Sequence, residues 1–345
     1  GNVGQTLLQQ IHQQKDFLSQ ELKIDIRLCG LANSRSMLFN SNGIDMTSSK
    51  EKLEEHGVAM SMDAFYSQMV EMNLRNSIFI DCTATYDIPT YYQSILRQSI
   101  SIVTPNKVAC SSHFDHYLDL KKTAIKYHAR FLFETNVGAG LPVISTASDL
   151  LKSGDKVSRI EAVLSGTLNF LFNHYDATVP FQEVLKRAKD EGYTEPDPKI
   201  DLSGIDVQRK ILILARESGH KLELDEIQNR SFLPDDCLET QTVEELYKRL
   251  LEHEGHFKQL FKEANEQGKK LKFVASFDKE SGHAEIGLQA YSAEHPFYSL
   301  KGKDNVVLFY TKRYHDYPLI VQGAGAGSAV TASGIFADIL RIADA

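Results

Sequence analysis

Residues 192–216, GYTEPDPKIDLSGIDVQRKILILAR, gather the side chains with most chemistry to offer. Glu195 and Asp197 alternate with Pro196 and Pro198. A proline has no backbone N–H and pushes the preceding residue towards extended conformations, so these carboxylates are expected on a stiff loop that is neither helix nor strand. A helix is expected next, capped by Asp201 or Ser203. Asp206 and Lys210 are four apart and share one of its faces. Spacing alone reads as a solvated ion pair, worth about 0.3–0.5 kcal/mol. The run that follows, Ile211, Leu212, Ile213, Leu214 and Ala215, is apolar all round, the pattern of a buried helix. A lysine leading into such a helix is partly desolvated. Desolvation disfavours the ammonium form and brings proton exchange towards neutral pH, which makes Lys210 a candidate acid/base.

The elements before this stretch read as a nucleotide-binding fold. Gly1, Asn2, Val3 and Gly4 open GNVGQTLLQQIHQQ, which reads as the tail of a GxGxxG loop entering a helix; the first glycine and its strand would precede residue 1. A plain capping role for the glycines fits equally. Residues 24–31 read as the second strand of such a fold, ending in Asn33, Ser34 and Arg35 with no carboxylate to hold a ribose. Arg35 in that place meets a 2′-phosphate, which favours NADP(H) over NAD(H); an ordinary turn after a strand is the other reading. A polar helical region runs to about residue 74. Strands at 77–82 and 99–104, a helix at 89–97 and another at 114–128 predict a doubly wound parallel sheet. Ligands bind beyond the carboxyl ends of its strands, where Thr83 and Lys107 lie. A solvated loop lysine is the commoner state of a residue like Lys107.

After a short strand at 130–133, residues 134–141 form a glycine-punctuated loop. Glu134 offers one charge and the loop's carbonyls suit a hard cation; a hinge between domains is the alternative. From residue 157 the pattern becomes α+β. Arg159–Leu164, KFVASF, AEIGLQA and NVVLFYT are expected to form an antiparallel sheet backed by helices, with turns at DKESG and KGKDN. His253 and His256 lack the spacing that puts two zinc ligands on one helix face. The end, LIVQGAGAGSAVTASGIFADILRIADA, reads as a second glycine-rich strand–loop–helix whose helix returns to the first domain. The expected domains are therefore residues 1–141 with 318–345, binding dinucleotide, and residues 142–317, binding substrate and dimerising.

At 345 residues, 42% hydrophobic and 24% charged, the chain is an ordinary globular protein of about two domains. A net charge of −8 with scattered Lys and Arg argues against a nucleic-acid surface. No stretch approaches the roughly 20 apolar residues of a membrane span. Cys29, Cys82, Cys110 and Cys237 are far apart and read as reduced thiols of a cytoplasmic protein. The chain begins with Gly and carries no signal peptide, so it reads as a piece of a longer protein.

GYTEPDPKIDLSGIDVQRK, TPNK, ETNVGAGLPVI, LSGTLN and GAGAGSAVTASGIFADIL occur in the order of the homoserine dehydrogenase signature, and the chain resembles that family over nearly its whole length. QQKDFLSQELKIDIRLCGLANSR resembles the dehydrogenase half of a bifunctional aspartokinase–homoserine dehydrogenase, whose kinase half would precede residue 1. The resemblance implies an α/β fold, a Rossmann-type nucleotide-binding domain plus an α+β catalytic and dimerisation domain. It implies NAD(P)-dependent interconversion of L-homoserine and L-aspartate 4-semialdehyde, on the route to threonine and methionine, by a homodimer or larger assembly. It casts Lys210 as the acid/base, Glu195 and Asp206 as holders of the substrate ammonium with Gly192 in the same loop, and Asp201 as support. Lys107, Thr83 and Gly325 correspond to cofactor-side residues, and Lys107, which could reach the cofactor or the substrate, is the second catalytic candidate beside Lys210. Glu134 with the carbonyls of Val137, Ala139 and Leu141 corresponds to a sodium site. Two other readings stay open: another oxidoreductase of a small amino or hydroxy acid, and a non-catalytic module that keeps the fold.

Overall fold

A computed structural model describes residues 1–302 and 304–344. Lys303, in the KGKDN turn, and Ala345, at the end of the expected 318–345 segment, lie outside the described residues. The chain divides into two compact units, residues 1–140 with 327–345 and residues 141–326.

The first unit starts with helix α1 (Asn2–Phe17), which continues as a widened turn, Leu18–Leu22. Leu7, Ile11 and Leu18 recur at spacings of four and seven and form one apolar stripe. They pack on the C-terminal helix, Ser328–Ala343, through Ala332, Ile335, Phe336 and Ile339. Strands β1 (Gly30–Ala32), β2 (Ser36–Phe39) and β3 (Val58–Ala59) form a small antiparallel sheet, with helix α2 (Ser49–His56) between the last two. Helix α3 (Met62–Met72) follows. A parallel sheet comes next: β4 (Ile78–Ile80), β5 (Ser101–Val103) and β6 (Phe131–Leu132), with α4 (Tyr92–Arg97) and α5 (Phe114–Lys126) in the crossovers. This is the expected α/β arrangement. The C-terminal helix lies close on residues 134–140. A Cβ on Gly334 would stand 2.5 Å from Thr135 Cγ2, and one on Gly140 would stand 2.5 Å from the Val330 carbonyl, so neither position takes a larger residue without movement.

Two expectations for this unit change. The strand predicted over residues 24–31 is reduced to β1 at its end: the Leu28 and Cys29 carbonyls still accept the N–H groups of Ile44 and Asn40 at 2.7 and 2.9 Å, but no ladder among the described residues continues along residues 24–27. The region up to residue 74 is not uniformly helical; β2 and β3 interrupt it.

The second unit begins with α6 (Val143–Lys152), β7 (Val157–Val163), α7 (Gly166–His174) and α8 (Phe181–Asp190). The segment expected to be irregular contains a short helix, α9 (Pro198–Leu202). Pro198 sits at its first position, where a missing N–H costs nothing, and Asp197 caps it by accepting the Lys199 N–H at 3.0 Å. Helix α10 (Ile205–Glu217) then starts from Gly204 at φ +72°, so neither Asp201 nor Ser203 is its N-cap residue. Ile211 through Ala215 are all 0% exposed. Burying each large aliphatic side chain there contributes about 1.5–3 kcal/mol, so this run fixes the helix and whatever its first turns carry.

Strands β8 (Gln228–Arg230), β9 (Lys270–Asp278), β10 (His283–Tyr291), β11 (Asp304–Thr311) and β12 (Leu319–Ala324) join β7 in one sheet, in the order β12-β11-β7-β9-β10-β8. All neighbours are antiparallel except β8, which runs parallel to β10. Helices α11 (Asp235–Leu238), α12 (Val243–Glu252) and α13 (Glu254–Glu266) lie between β8 and β9 in the chain. Along β9, Phe273 stacks edge-on with Phe232, while Val274 joins Val163, Phe297, Leu300, Val306 and Leu308 in a second cluster. The expected boundary at residue 318 moves to 327, because β12 completes its ladder against β11 in this sheet.

Candidate active site

In the second unit the apolar run of α10 holds its amino end against the end of β7. Lys210 is only 12% exposed on its side chain, against 47% for Asp206. Its Nζ lies 2.7 Å from Asp206 Oδ2 and donates to the Leu164 carbonyl at 2.8 Å. The pair expected from spacing therefore exists, but its cationic end is enclosed and tied to a strand end rather than solvated.

Asp201 organises the acidic loop beside it. Its Oδ2 accepts the Glu195 N–H at 2.8 Å, and its Oδ1 stands 2.9 Å from Thr167 Oγ1, in the first turn of α7. Burial pushes the Asp201 carboxyl above its ordinary value, and the charges of Glu195 and Asp206 push the same way, although its hydrogen bonds to Glu195 and Thr167 oppose the shift. Thr167 Oγ1 also lies 2.5 Å from the Tyr193 carbonyl. A hydroxyl has one proton to donate, so Thr167 shares it between the Asp201 carboxylate and the Tyr193 carbonyl. Gly192, at φ +74°, turns the chain out of α8 into this loop. The structure thus brings Lys210, Asp206, Asp201 and the Glu195 backbone together. The sequence gives no sign of the parts played by Thr167 and the Leu164 carbonyl, though both lie in LSGTLN; no local pattern marks a strand-end carbonyl as a lysine's anchor.

In the first unit, Thr83 and the turn bearing Lys107 lie beyond the carboxyl ends of β4 and β5, and buried Asp81 links them. Its Oδ1 accepts the Thr83 N–H at 2.8 Å, and its Oδ2 accepts from Tyr92 Oη at 2.6 Å and Asn106 Nδ2 at 3.2 Å. Asp81 carries no motif and was not foreseen. Helix α1 starts at Asn2 with Gly1 as its cap residue, and a Cβ on Gly4 would meet only Cys82 Cβ, at 3.9 Å. Val3 packs on the α1 cluster. Burial pushes the Cys82 thiol up to about 12, so it stays neutral. Asn33 Oδ1 accepts the N–H groups of Arg35 and Ser36, both at 2.8 Å, which shapes a tight turn around Ser34 and leaves Arg35 exposed.

The glycine-punctuated loop is not a free donor set. Glu134 is buried and its carboxylate takes Arg341 Nη1 at 3.0 Å, while its N–H donates to Asp338 Oδ2 at 2.9 Å. Burial raises Asp338 to about 6. The charge expected from Glu134 is therefore already countered. Gly138 and Ala139 turn through φ +75° and +52°, and Thr135 Oγ1 is buried with no hydrogen-bond partner among the described residues. That orphaned oxygen fits a weakly charged cation. Leu141 belongs to the second unit, where its carbonyl accepts the Val143 N–H at 2.8 Å. Gly325 has a packing reason of its own: a Cβ there would stand 2.0–2.4 Å from the side-chain amide of Asn305.

Comparison with known proteins adds the following. The model of the family described as homoserine dehydrogenase matches residues 142–340, and that of its NAD binding domain matches residues 1–134. A bifunctional aspartokinase/homoserine dehydrogenase of Arabidopsis thaliana is 44% identical over 345 residues, covering 99% of this chain and 38% of the relative. The chain spans under two-fifths of the length of such plant relatives. A homoserine dehydrogenase of Schizosaccharomyces pombe is 35% identical, covering 99% of this chain and 93% of the relative. A Candida auris crystal structure, titled as of unknown function, superposes with a TM-score of 0.91 at 34% identity and covers 100% of this chain and 96% of that one. A hyperthermophilic archaeal homoserine dehydrogenase in complex with NADPH shares the fold, with a TM-score of 0.75 at 22% identity, covering 99% of this chain and 95% of that one.

Proposed function

The chain belongs to the homoserine dehydrogenase family, and we propose that it interconverts L-aspartate 4-semialdehyde and L-homoserine with a nicotinamide cofactor, in threonine and methionine biosynthesis. The observation that carries the reading is Lys210: an enclosed ammonium at the head of a buried helix, held by Asp206 at 2.7 Å and the Leu164 carbonyl at 2.8 Å. When bound, the cofactor supplies or accepts the hydride. As the semialdehyde is reduced, charge develops on its oxygen; Lys210 stabilises it and delivers the proton, and in the reverse direction takes the proton from the hydroxyl. The substrate's amine needs an anionic holder, which Glu195 and Asp206 supply, while Asp201 fixes the Glu195 backbone. Gly192 gives that loop its turn.

On the cofactor side we assign Gly1, Asn2, Val3, Gly4, Thr83, Lys107 and Gly325, with Asn33, Ser34 and Arg35 at the ribose. Arg35 is exposed and free of a carboxylate neighbour in that turn, which favours NADPH. Sodium is proposed at Glu134, Val137, Ala139 and Leu141 in a structural role, with orphaned Thr135 Oγ1 as supporting observation. A homodimer or larger assembly, an aspartokinase association like that in the names of the bifunctional relatives, and a cytoplasmic location belong to the same proposal. No helix among the described residues is long and apolar enough to cross a membrane. The test is a steady-state assay of aspartate semialdehyde with NADPH and with NADH, for the parent and for Arg35→Ala. Turnover with NADPH preferred, and that preference weakened in the variant, supports the reading. Absence of turnover with either cofactor overturns it; equal use of both by the parent overturns the role of Arg35.

A further inference from the structure

Asn305, on β11, is 1% exposed and stands opposite Gly323 in the ladder with β12. Its Nδ2 donates to the Leu164 carbonyl at 3.4 Å, the same oxygen that takes Lys210 Nζ at 2.8 Å. Its Oδ1 is buried without a hydrogen-bond partner among the described residues. Leaving such an acceptor unsatisfied is destabilising, so an apolar residue would suit this place better if packing were all that mattered. The amide is also held in place. Gly325 follows β12 closely enough that even a methyl group there would overlap it. Behind it, Asn169 Nδ2 donates to the Gly302 and Asp304 carbonyls at 3.1 and 3.3 Å, fixing the strand's entry.

We propose that Asn305 is a positioning residue for Lys210. A carbonyl oxygen has two lone pairs. Asn305 occupies one and sets the tilt of the Leu164 carbonyl, which leaves the other aimed at Lys210 Nζ. Without the amide the carbonyl is free to turn, and the ammonium keeps only Asp206, whose carboxylate is half in solvent. This rests on the reading of Lys210 as acid/base, but the geometry it describes is independent of that chemistry.

The test uses Asn305→Ala, which deletes the donor, and Asn305→Asp, which keeps the shape but turns the donor into an acceptor facing the carbonyl. Two readouts are taken on the full chain. In protein labelled with 13C at the lysine Cε, the Lys210 resonance, assigned by its loss in Lys210→Arg, shifts in both variants. In turnover, kcat falls tenfold or more in both variants while the KM for NADPH stays as in the parent. A resonance unmoved in both variants, or an unchanged kcat with only a lower melting temperature, overturns the proposal and leaves Asn305 a packing residue. If the parent shows no dehydrogenase turnover yet the resonance still shifts, the functional reading fails and the positioning role stands.

Discussion

Lys210 and Asp206 form an ion pair at 2.7 Å across one turn of α10, and only the lysine is enclosed. The asymmetry matters for their proposed roles. An exposed pair at this spacing contributes little. Here the carboxylate faces solvent enough to meet a ligand while its partner is anchored from behind by Leu164. On the proposed reading Asp206 has two tasks, orienting Lys210 and offering charge to the substrate amine, whereas Glu195, held through its backbone N–H by Asp201, has one.

That division predicts different kinetics for the two carboxylates. A hydrogen bond to a charged group is worth about 1.5–3 kcal/mol, so Glu195→Gln raises the KM for homoserine by roughly ten- to a hundredfold with little change in kcat. Asp206→Asn lowers kcat as well, because Lys210 loses its counter-charge. Steady-state kinetics of both variants with homoserine and NADP+ measure the split. If Glu195→Gln lowers kcat at an unchanged KM, the amine-holding role is wrong.

Gly325→Ala places a methyl group 2.0 Å from Asn305 Cγ, so the buried amide has to shift to make room. Overpacking of this kind costs about 1–3 kcal/mol. Denaturant titration shows that loss, and Asn305→Ala in the same chain restores most of it, since the two side chains then no longer compete. A Gly325→Ala protein as stable as the parent contradicts the close approach.

Lys272, on β9, is fully buried and donates to Asn173 Oδ1 at 2.6 Å, the Leu300 carbonyl at 2.8 Å and Asn169 Oδ1 at 3.2 Å. None of these three acceptors carries a charge. Burial lowers its pKa from 10.5 to about 8, with a smaller push from Lys270. Between those values the unfolded chain binds the extra proton, so this group makes stability rise with pH there. The shift corresponds to about 3 kcal/mol. The stability of the parent relative to Lys272→Met is predicted to climb by up to that amount from pH 8 to pH 10.5, read by urea unfolding at each pH. A difference that stays flat means that the folded chain holds this proton as readily as the unfolded one, and that burial does not depress the lysine.

Much of this site was legible in the chain because its signals are local. The run from Ile211 to Ala215 announces a buried helix, and Asp206 and Lys210 share a face by spacing alone. What stayed hidden depends on distant partners. Asn305 meets Leu164 across 141 residues, and Lys272 meets Asn169 across 103. Neither residue type stands out in its own strand. The strand expected at residues 24–31 failed for the opposite reason: its composition is right, but a strand also needs a neighbour to pair with. The short helix α9 was missed because prolines were read only as breakers, whereas at the first helical position proline is at home.

The most direct test of the account is NADPH oxidation by aspartate semialdehyde in the parent and in Lys210→Ala, with NADPH binding measured separately by fluorescence. The account predicts clear turnover by the parent, a kcat lower by about 10²–10⁴ in the variant, and unaltered NADPH affinity. A variant that turns over near the parental rate would contradict it, and Lys107 would then be the better candidate for the proton transfer.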